Sequence, residues 1–398
     1  MRVKIGDLIF GPEERKAINE LMDKSTISEG ARCKEFEEKF ARFIGTDRAI
    51  VAANGTATLM LVMYALRYHS KYMLKGGEKV VTTPLTYIAT SNSIVTTGYE
   101  PVYVDINLED FSISTEQIKA HMEDADDAEQ HRAVMPVHLM GYPCDMDEIN
   151  KIATRYNMAV VEDAAEAHGS LYKGRRTGSL GLAGSYSFYI AHNIQAGEFG
   201  AITTNDQELA NICKRMKGNG RLCYCTVAEI EQGKCPHQNL GFHPRYLHDV
   251  IGFNFKAMEY QAAIAILQLA QIDWILSKRR ENVKHLNDAL APLEGTLTLP
   301  KHSDDISYLG YPMILTDKSF SRNGISKQLT QAGIENRPVF NCIPTQQPAY
   351  AFLKKKYEGK LPNAEFIGNN GFYVGCHQYL KDEELDYIAA TLKRILSK

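Results

Sequence analysis

The chain has 398 residues, of which 44% are hydrophobic and 23% charged, and its formal net charge is −3. This composition is that of a globular protein with enough apolar material for a core, and it excludes extended disorder. Because acidic and basic residues are interspersed, the chain lacks the polybasic field that nucleic-acid binding needs. The length predicts one large domain and a smaller one.

Secretion and membrane insertion are not expected either. The longest strongly apolar run, 59–66, is far shorter than the roughly 20 residues that a membrane-spanning helix requires. The first residues contain no apolar segment followed by a small-residue cleavage site. The eight cysteines are too dilute for a disulfide scaffold, so we expect them to stay reduced. Together these features predict a cytoplasmic enzyme with no membrane or nucleic-acid partner.

The predicted elements alternate between helices and strands. A helix is expected over 12–23, with Pro early and acidic residues in the first turn, and a buried helix over 56–66. Strands at 184–191 and 200–206 are expected to be joined by a tight glycine-containing connection. Further short apolar runs, separated by amphipathic segments, lie at 79–84, 101–105, 133–141 and 158–164. Strands that alternate with helices imply a mostly parallel sheet covered on both faces.

The pattern changes in the second half of the chain. Residues 218–250 are rich in Cys, His, Gly and Pro and lose their periodicity, and a long amphipathic helix follows over roughly 258–290. We therefore predict a large α/β domain over 1–250, which includes the 218–250 insertion. A linking helix over 251–290 and a small C-terminal α+β domain over 291–398 complete the predicted organisation.

Several polar residues stand where α/β proteins place ligand contacts. Asp163 ends the apolar strand MAVVED, and ligands bind at the carboxyl ends of parallel strands, although a helix N-cap explains such a residue equally well. Gly55 and Thr56 open a helix whose backbone amides can bind phosphate. Ser187, on a later strand, offers another hydroxyl. Tyr87 follows a strand and is placed to stack on a flat cofactor.

Five motifs in order give the chain a resemblance to a known family over nearly its whole length. They are NGTATL (54–59), TPLTYIATSNS (83–93), VEDAAEAHGS (161–170), SYSFYIAHNIQAGEFGAITTND (185–206) and GFNFKAMEYQAAIAILQL (252–269). With them the chain resembles the DegT/DnrJ/EryC1/StrS sugar aminotransferases, which are fold-type-I pyridoxal-phosphate (PLP) proteins. The resemblance implies an α/β fold of that type, a large mostly parallel sheet with a smaller C-terminal α+β domain.

The resemblance also implies roles for these residues. Asp163 would pair with the pyridine nitrogen of the coenzyme and keep it protonated, and Tyr87 would stack on the ring. Gly55, Thr56 and Ser187 would hold the coenzyme phosphate.

Two further residues gain a role from the same resemblance. Asn254 would reach the phosphate bound in a partner subunit, which implies an active site at the interface of a homodimer. Arg337, in ENRPVF, matches a segment near the sugar nucleotide and would pair with its phosphates.

Residue 192 departs from the aminotransferase pattern. Family aminotransferases have the Schiff-base lysine there, whereas this chain has His192 in FYIAHN. The same change marks a subgroup that the chain resembles around this residue, the NDP-4-keto-6-deoxyhexose 3-dehydratases, which use pyridoxamine phosphate (PMP) as a dissociable coenzyme. In that subgroup the histidine removes a proton and helps the carbon-3 hydroxyl to leave. An imidazole suits that role because it titrates near neutral pH.

Three closely spaced cysteines point to a second kind of site. Cys223, Cys225 and Cys235 lie in the 218–250 insertion, and thiols so close together in a reduced protein are typical metal ligands. They resemble the [2Fe–2S] insertion of the CDP-4-keto-6-deoxyglucose 3-dehydrase branch, which would imply a reductase partner. That branch draws its fourth cysteine from the segment where this chain has Ala165. Structural thiols, or zinc with His237 as a further ligand, therefore stay open as alternatives.

The sequence thus predicts a PMP/PLP-dependent 3-dehydratase of a nucleotide-linked 4-keto-6-deoxyhexose in 3,6-dideoxysugar biosynthesis, as for lipopolysaccharide O-antigen. Without an iron–sulfur cluster, glutamate would regenerate the amine form of the coenzyme by half-transamination. One alternative is a PLP-dependent sugar aminotransferase with an altered base. The other is a catalytically silent protein that binds the coenzyme or the sugar nucleotide.

Overall fold

Short apolar runs and amphipathic segments fold into strands and helices in the predicted alternation. A computed structural model describes residues 2–25, 27–225 and 230–397. The helices are α1 (Pro12–Asp23), α2 (Ala31–Ile44), α3 (Gly55–Ala65), α4 (Ala89–Thr96), α5 (Thr115–Asp124), α6 (Met146–Arg155), α7 (Gln207–Lys217), α8 (Glu259–Ala270), α9 (Ile272–Leu290), α10 (Arg322–Gln331), α11 (Ile343–Gln346), α12 (Lys354–Tyr357), α13 (Pro362–Asn370) and α14 (Asp382–Leu396). The strands are β1 (Arg48–Ala52), β2 (Lys79–Thr82), β3 (Glu100–Tyr103), β4 (His131–Met135), β5 (Ala159–Asp163), β6 (Leu171–Tyr172), β7 (Arg175–Arg176), β8 (Ala183–Ser187), β9 (Gly200–Thr204), β10 (Leu297–Thr298), β11 (Tyr311–Leu315), β12 (Asn336–Pro338) and β13 (Gly371–Val374). Over these residues no helix has both the length and the apolar character that crossing a membrane demands.

The main sheet has seven strands in the order β1-β9-β8-β5-β4-β2-β3. The strands from β8 to β3 in this order pair in parallel, whereas β9 pairs antiparallel with both β8 and β1. Val80 and Val81 are neighbours on β2, yet they belong to two separate core clusters because successive side chains point to opposite faces. The predicted sheet, mostly parallel and covered on both faces, is confirmed.

A second sheet, β10-β11-β13-β12, is antiparallel and lies in the C-terminal part of the chain. Two sequence-based expectations differ from what is observed before it. The single helix predicted over 258–290 is divided at Gln271, whose backbone N–H bonds to the Gln268 carbonyl three residues back, as in a tight final helical turn. The connection between β8 and β9 is not tight but spans 188–199, and it contains His192.

A buried carboxylate fixes the end of β5. Glu162 is fully buried and accepts hydrogen bonds from the backbone N–H groups of Gly178 (2.6 Å), Leu180 (2.7 Å) and Gly181 (2.6 Å). His138 Nε2 lies 2.9 Å from the same carboxylate, while its Nδ1 accepts the Cys144 N–H. The Cys144 bond therefore leaves Nε2 to carry the proton that faces Glu162. These four groups all bond to the one carboxylate, which holds the end of β5 in place.

We expect Glu162→Gln to lower the free energy of unfolding by about 3 kcal/mol, because the amide NH₂ would face hydrogen-bond donors in a buried site. The measurement is urea unfolding followed by circular dichroism. As a matched control, Glu123→Gln removes only an exposed pair with Arg155 and should change stability by less than about 0.5 kcal/mol. Equal midpoints for the two variants would contradict the role given to Glu162.

Candidate functional site

Asp163 lies at the carboxyl end of β5, directly after Glu162. Its side chain is buried and accepts hydrogen bonds from Thr90 Oγ1 at 2.8 Å and from the Ala165 N–H at 3.2 Å. Burial raises the pKa of Asp163, and these two donors oppose that rise. Thr86 Oγ1 lies 2.8 Å from Thr90 Oγ1 and extends the chain of hydroxyls. The carboxylate is thus fixed in one orientation at the edge of the main sheet.

The N-terminus of α3 packs directly against the end of β8. Asn54 caps the helix by accepting the Ala57 N–H at 2.9 Å. A Cβ on Gly55 would lie 2.5 Å from the Ser187 Cβ, so only glycine allows this approach. The arrangement places helix N–H groups beside the hydroxyl groups of Thr56 and Ser187. A helix N-terminus with neighbouring hydroxyls is suited to an anion such as a phosphate.

His192 lies in the 188–199 connection, which leaves β8 at Ser187. Its backbone N–H donates to the Tyr189 carbonyl at 2.9 Å, and its ring lies 5.8 Å from that of His168. Its Nδ1 is buried and has no hydrogen-bond partner among the residues that the structure describes. Burial lowers the pKa of His192 to about 4, helped by the charges of Arg279 and Arg337 and opposed by a hydrogen bond with the Ser187 backbone. The imidazole is therefore neutral at neutral pH and has a nitrogen that can accept a proton.

Arg279, on α9, is a buried charged residue beside His192 that the sequence reasoning missed. Its guanidinium is fully buried and donates to the carbonyls of Tyr308 (3.1 Å), Leu309 (2.9 Å) and His192 (3.3 Å) and to Gln378 Oε1 (3.2 Å). It joins the His192 connection to the C-terminal part of the chain. A lone arginine inside a helical pattern gives no signal of such a role.

Glu166 is a second missed residue. It is buried, and its Oε2 accepts the Met140 N–H at 2.8 Å. Burial, together with the nearby charge of Asp163, raises the pKa of Glu166 to about 8 against the opposing effect of the Met140 bond. Its position three residues after Asp163, within the same motif, is the signal that could have found it. Two buried carboxyl groups, both with a pKa raised by burial, therefore lie within the same motif.

The other predicted residues are placed as follows. Tyr87 is 61% exposed, and its ring centroid lies 6.0 Å from that of Phe340. Arg337, on β12, is exposed, and its charge adds to the lowering of the His192 pKa. Burial raises the pKa of Tyr373 to about 12, and Arg337 opposes that rise. Asn254 is exposed and its side chain accepts a hydrogen bond from Lys256. The structure thus packs Gly55 against Ser187 and places a hydrogen bond between His192 and the Ser187 backbone. Asp163 lies opposite Ser185 on the neighbouring strand β8, two residues before Ser187, and Thr56 follows Gly55 in the chain.

The three predicted metal ligands also come together, but the expected iron–sulfur cluster is not supported. The sulfur atoms of Cys223, Cys225 and Cys235 all lie within 4.8 Å of one another. In the described ranges no fourth Cys, His, Asp or Glu side chain joins this group. Ala165, where the fourth cysteine was sought, donates its backbone N–H to Asp163 instead. A [2Fe–2S] cluster takes four protein ligands, so three thiols alone do not supply one.

Comparison with known proteins agrees with this fold. The DegT/DnrJ/EryC1/StrS aminotransferase family matches residues 9–393. The dTDP-4-dehydro-2,6-dideoxy-D-glucose 3-dehydratase of Saccharopolyspora spinosa is 30% identical over 98% of this chain and 86% of its own length. The GDP-perosamine synthase of Caulobacter vibrioides is 34% identical over 99% of this chain and 98% of its own length. The solved structure of E. coli GDP-4-keto-6-deoxy-D-mannose-3-dehydratase with bound hydrated PLP superposes with a TM-score of 0.86 at 25% identity, covering 99% of this chain and 100% of that one. The chain belongs to the DegT/DnrJ/EryC1/StrS aminotransferase family.

Proposed function

We propose that this protein is a PMP/PLP-dependent 3-dehydratase of a nucleotide-linked 4-keto-6-deoxyhexose. The observation that carries the proposal is His192, a half-buried imidazole with a lowered pKa and an unpaired Nδ1, beside Ser187 at the end of β8. Family aminotransferases place a lysine at this position. The 3-dehydratases among the relatives add support at the level of the family.

The residues around Asp163 fit the coenzyme. Its buried carboxylate would hold the proton on the pyridine nitrogen, since an anion in a site of low dielectric binds a cation strongly. The N-terminus of α3, with Thr56 and Ser187, would hold the phosphate, because Gly55 lets Ser187 pack closely against the start of this helix. Tyr87 would cover one face of the ring. Bound there, the coenzyme supplies an amine for the carbon-4 ketone and a ring that accepts electrons.

His192 would move the proton. In its neutral form the imidazole would take up a proton beside the bound coenzyme and would then pass it to the carbon-3 hydroxyl, which would leave as water. Arg279 holds the backbone of His192 in place during both steps. Because the residue is not a lysine, the protein presents no primary amine there that could displace the coenzyme.

The remaining features favour a route without an electron-donor protein. Three thiols do not make a two-iron cluster, so we propose that water completes the reaction and yields a 3-deoxy-4-keto sugar on the way to a 3,6-dideoxysugar. Glutamate would then restore the amine form of the coenzyme. Arg337, exposed on β12, would pair with the diphosphate of the sugar nucleotide through its two parallel N–H groups.

A sugar aminotransferase is the second candidate, favoured by the 34% identity to a GDP-perosamine synthase. It would convert the same kind of substrate to a 4-amino sugar. Incubating the protein with PLP, glutamate and a GDP- or dTDP-linked 4-keto-6-deoxyhexose, and analysing the product by NMR, separates the two. A stable 4-amino sugar as the main product would refute the dehydratase.

We also propose a homodimer in which Asn254 contacts the phosphate bound by the partner subunit. Large apolar side chains are exposed on the chain around this residue, a feature typical of an interface. They are Leu240, Phe242, Tyr246, Ile251 and Met258.

The first test is His192→Ala, which removes the proposed base. We expect dehydration to fall at least ~100-fold, the usual cost of losing a general base. His285→Ala serves as the matched control, because His285 is a surface residue paired with Asp386. Unchanged activity in His192→Ala would favour a catalytically silent or differently catalysed protein.

The low pKa of His192 predicts the pH dependence. The base is active when neutral, so kcat/KM should stay level as the pH falls from about 8 to about 5 and should then drop towards about pH 4. Circular dichroism at each pH separates this loss from unfolding. An acid limb centred near pH 6.5 would contradict the lowered pKa of His192.

Mixing two inactive variants tests the shared site. Asn254→Asp places a negative charge against the partner's phosphate and should inactivate the homodimer, as should His192→Ala. If each site takes these residues from different subunits, mixed dimers contain one intact site, and activity should return to about a quarter of the wild-type value. No recovery, with exchange of subunits verified by mass, would place both residues in one subunit's site.

A further inference from the structure

A compact group of three thiols lies outside the catalytic site. The Sγ atoms of Cys223 and Cys235 are 3.3 Å apart, and Cys225 Sγ lies within 4.8 Å of both. Cys223 and Cys235 are buried, with 2% and 5% of their surface exposed. Over the described ranges this is the one group of three or more Cys, His, Asp or Glu ligand atoms that could hold a metal ion.

The segment around these cysteines is attached at its base and has little core of its own. Backbone pairing between Arg221 and His248, and the Leu222 N–H bond to Leu247, hold its two ends together. The three cysteines form a small core cluster of their own, in which Ile230 is the other described buried member. Burial of so little apolar surface contributes little to the free energy of folding, and small clusters of this kind are commonly stabilised by a bound metal.

The spacing of the sulfurs fits one ion better than two. With Zn–S bonds of about 2.3 Å and tetrahedral angles, neighbouring sulfurs lie about 3.8 Å apart. The three observed sulfurs reach that arrangement by shifts of an ångström or less. In a [2Fe–2S] cluster each thiolate binds one of two irons on opposite sides of the iron–sulfide core, so three thiolates cannot all stand as close together as the ligands of a single ion.

We propose that Cys223, Cys225 and Cys235 bind a single zinc ion that holds together the two described stretches of this insertion, 221–225 and 230–248. Each thiol releases its proton to solvent on binding, so the ion faces three thiolates. The fourth position is taken by water or by His237, which follows Cys235 by two residues. This site does not depend on the proposed dehydratase activity.

The test is metal analysis of the full-length protein, expressed without a metal-binding tag and purified without oxygen. We expect one zinc per chain and only traces of iron and acid-labile sulfide. Cys223→Ser, Cys225→Ser and Cys235→Ser should each lose the zinc. Cys213→Ala, at a cysteine buried in the main core, should retain it.

A second measurement does not depend on the folding of the variants. Titrating Co²⁺ into chelator-treated wild-type protein should produce sulfur-to-cobalt charge-transfer absorption that saturates at one ion per chain. Zinc should also slow cleavage by trypsin after the exposed Lys234. If His237→Ala loses the cobalt signal, His237 is the fourth ligand of the ion. If the variant retains the signal, water occupies the fourth position.

Three results would overturn the proposal. Two irons and two sulfides per chain would mean a cluster instead. Zinc below one per chain and unaffected by the three serine substitutions would be adventitious. A disulfide between Cys223 and Cys235 in the freshly purified protein, detected by mass spectrometry, would make these residues a covalent cross-link.

Discussion

The buried carboxylate of Glu162 is the interaction on which the site depends. It ends β5 with every surrounding donor satisfied, and a bond of its neighbour, His138, extends the same network to Cys144. Because the strand cannot shift there, the next residue, Asp163, emerges at a fixed place. Of these two adjacent acids, Glu162 makes its hydrogen bonds within the fold, whereas Asp163 is the one that we propose binds the coenzyme. An alternating strand pattern alone does not say which is which.

Electrostatics in the site is set mainly by exclusion of water. Burial raises the pKa of Asp163 and of Glu166 and lowers that of His192. Arg279 and Arg337 add to the effect at His192, since two positive charges disfavour a third. An imidazole kept neutral by burial and by nearby positive charges is a weak base, but at neutral pH it is in the form that can take a proton. The lowered pKa of His192 thus makes the imidazole a weaker base but keeps it unprotonated over a wider range of pH.

The residues predictable from sequence are those that lie in contiguous motifs. Gly55, Asp163 and Ser187 each sit at the end of a recognisable helix or strand, and the sheet brings such ends together. Arg279 could not be found this way, because its partners lie 29 to 99 positions away along the chain and its neighbours on α9 are ordinary helical residues. The division at Gln271 escaped for a similar reason. Residues that favour a helix continue through Gln271, and only the hydrogen bonding of the folded chain shows that the helix is divided there.

The guanidinium of Arg279 has a consequence for how a ligand enters. Its hydrogen bonds reach the connection that carries His192 and also the segment before β11, so these two parts of the protein share one buried cation. Any motion that separated them would leave the buried guanidinium without some of its hydrogen-bond partners, and such a loss costs about 3–5 kcal/mol. We therefore expect these two parts to stay joined while a ligand enters, so that the site is formed before binding and not by their closure around the ligand.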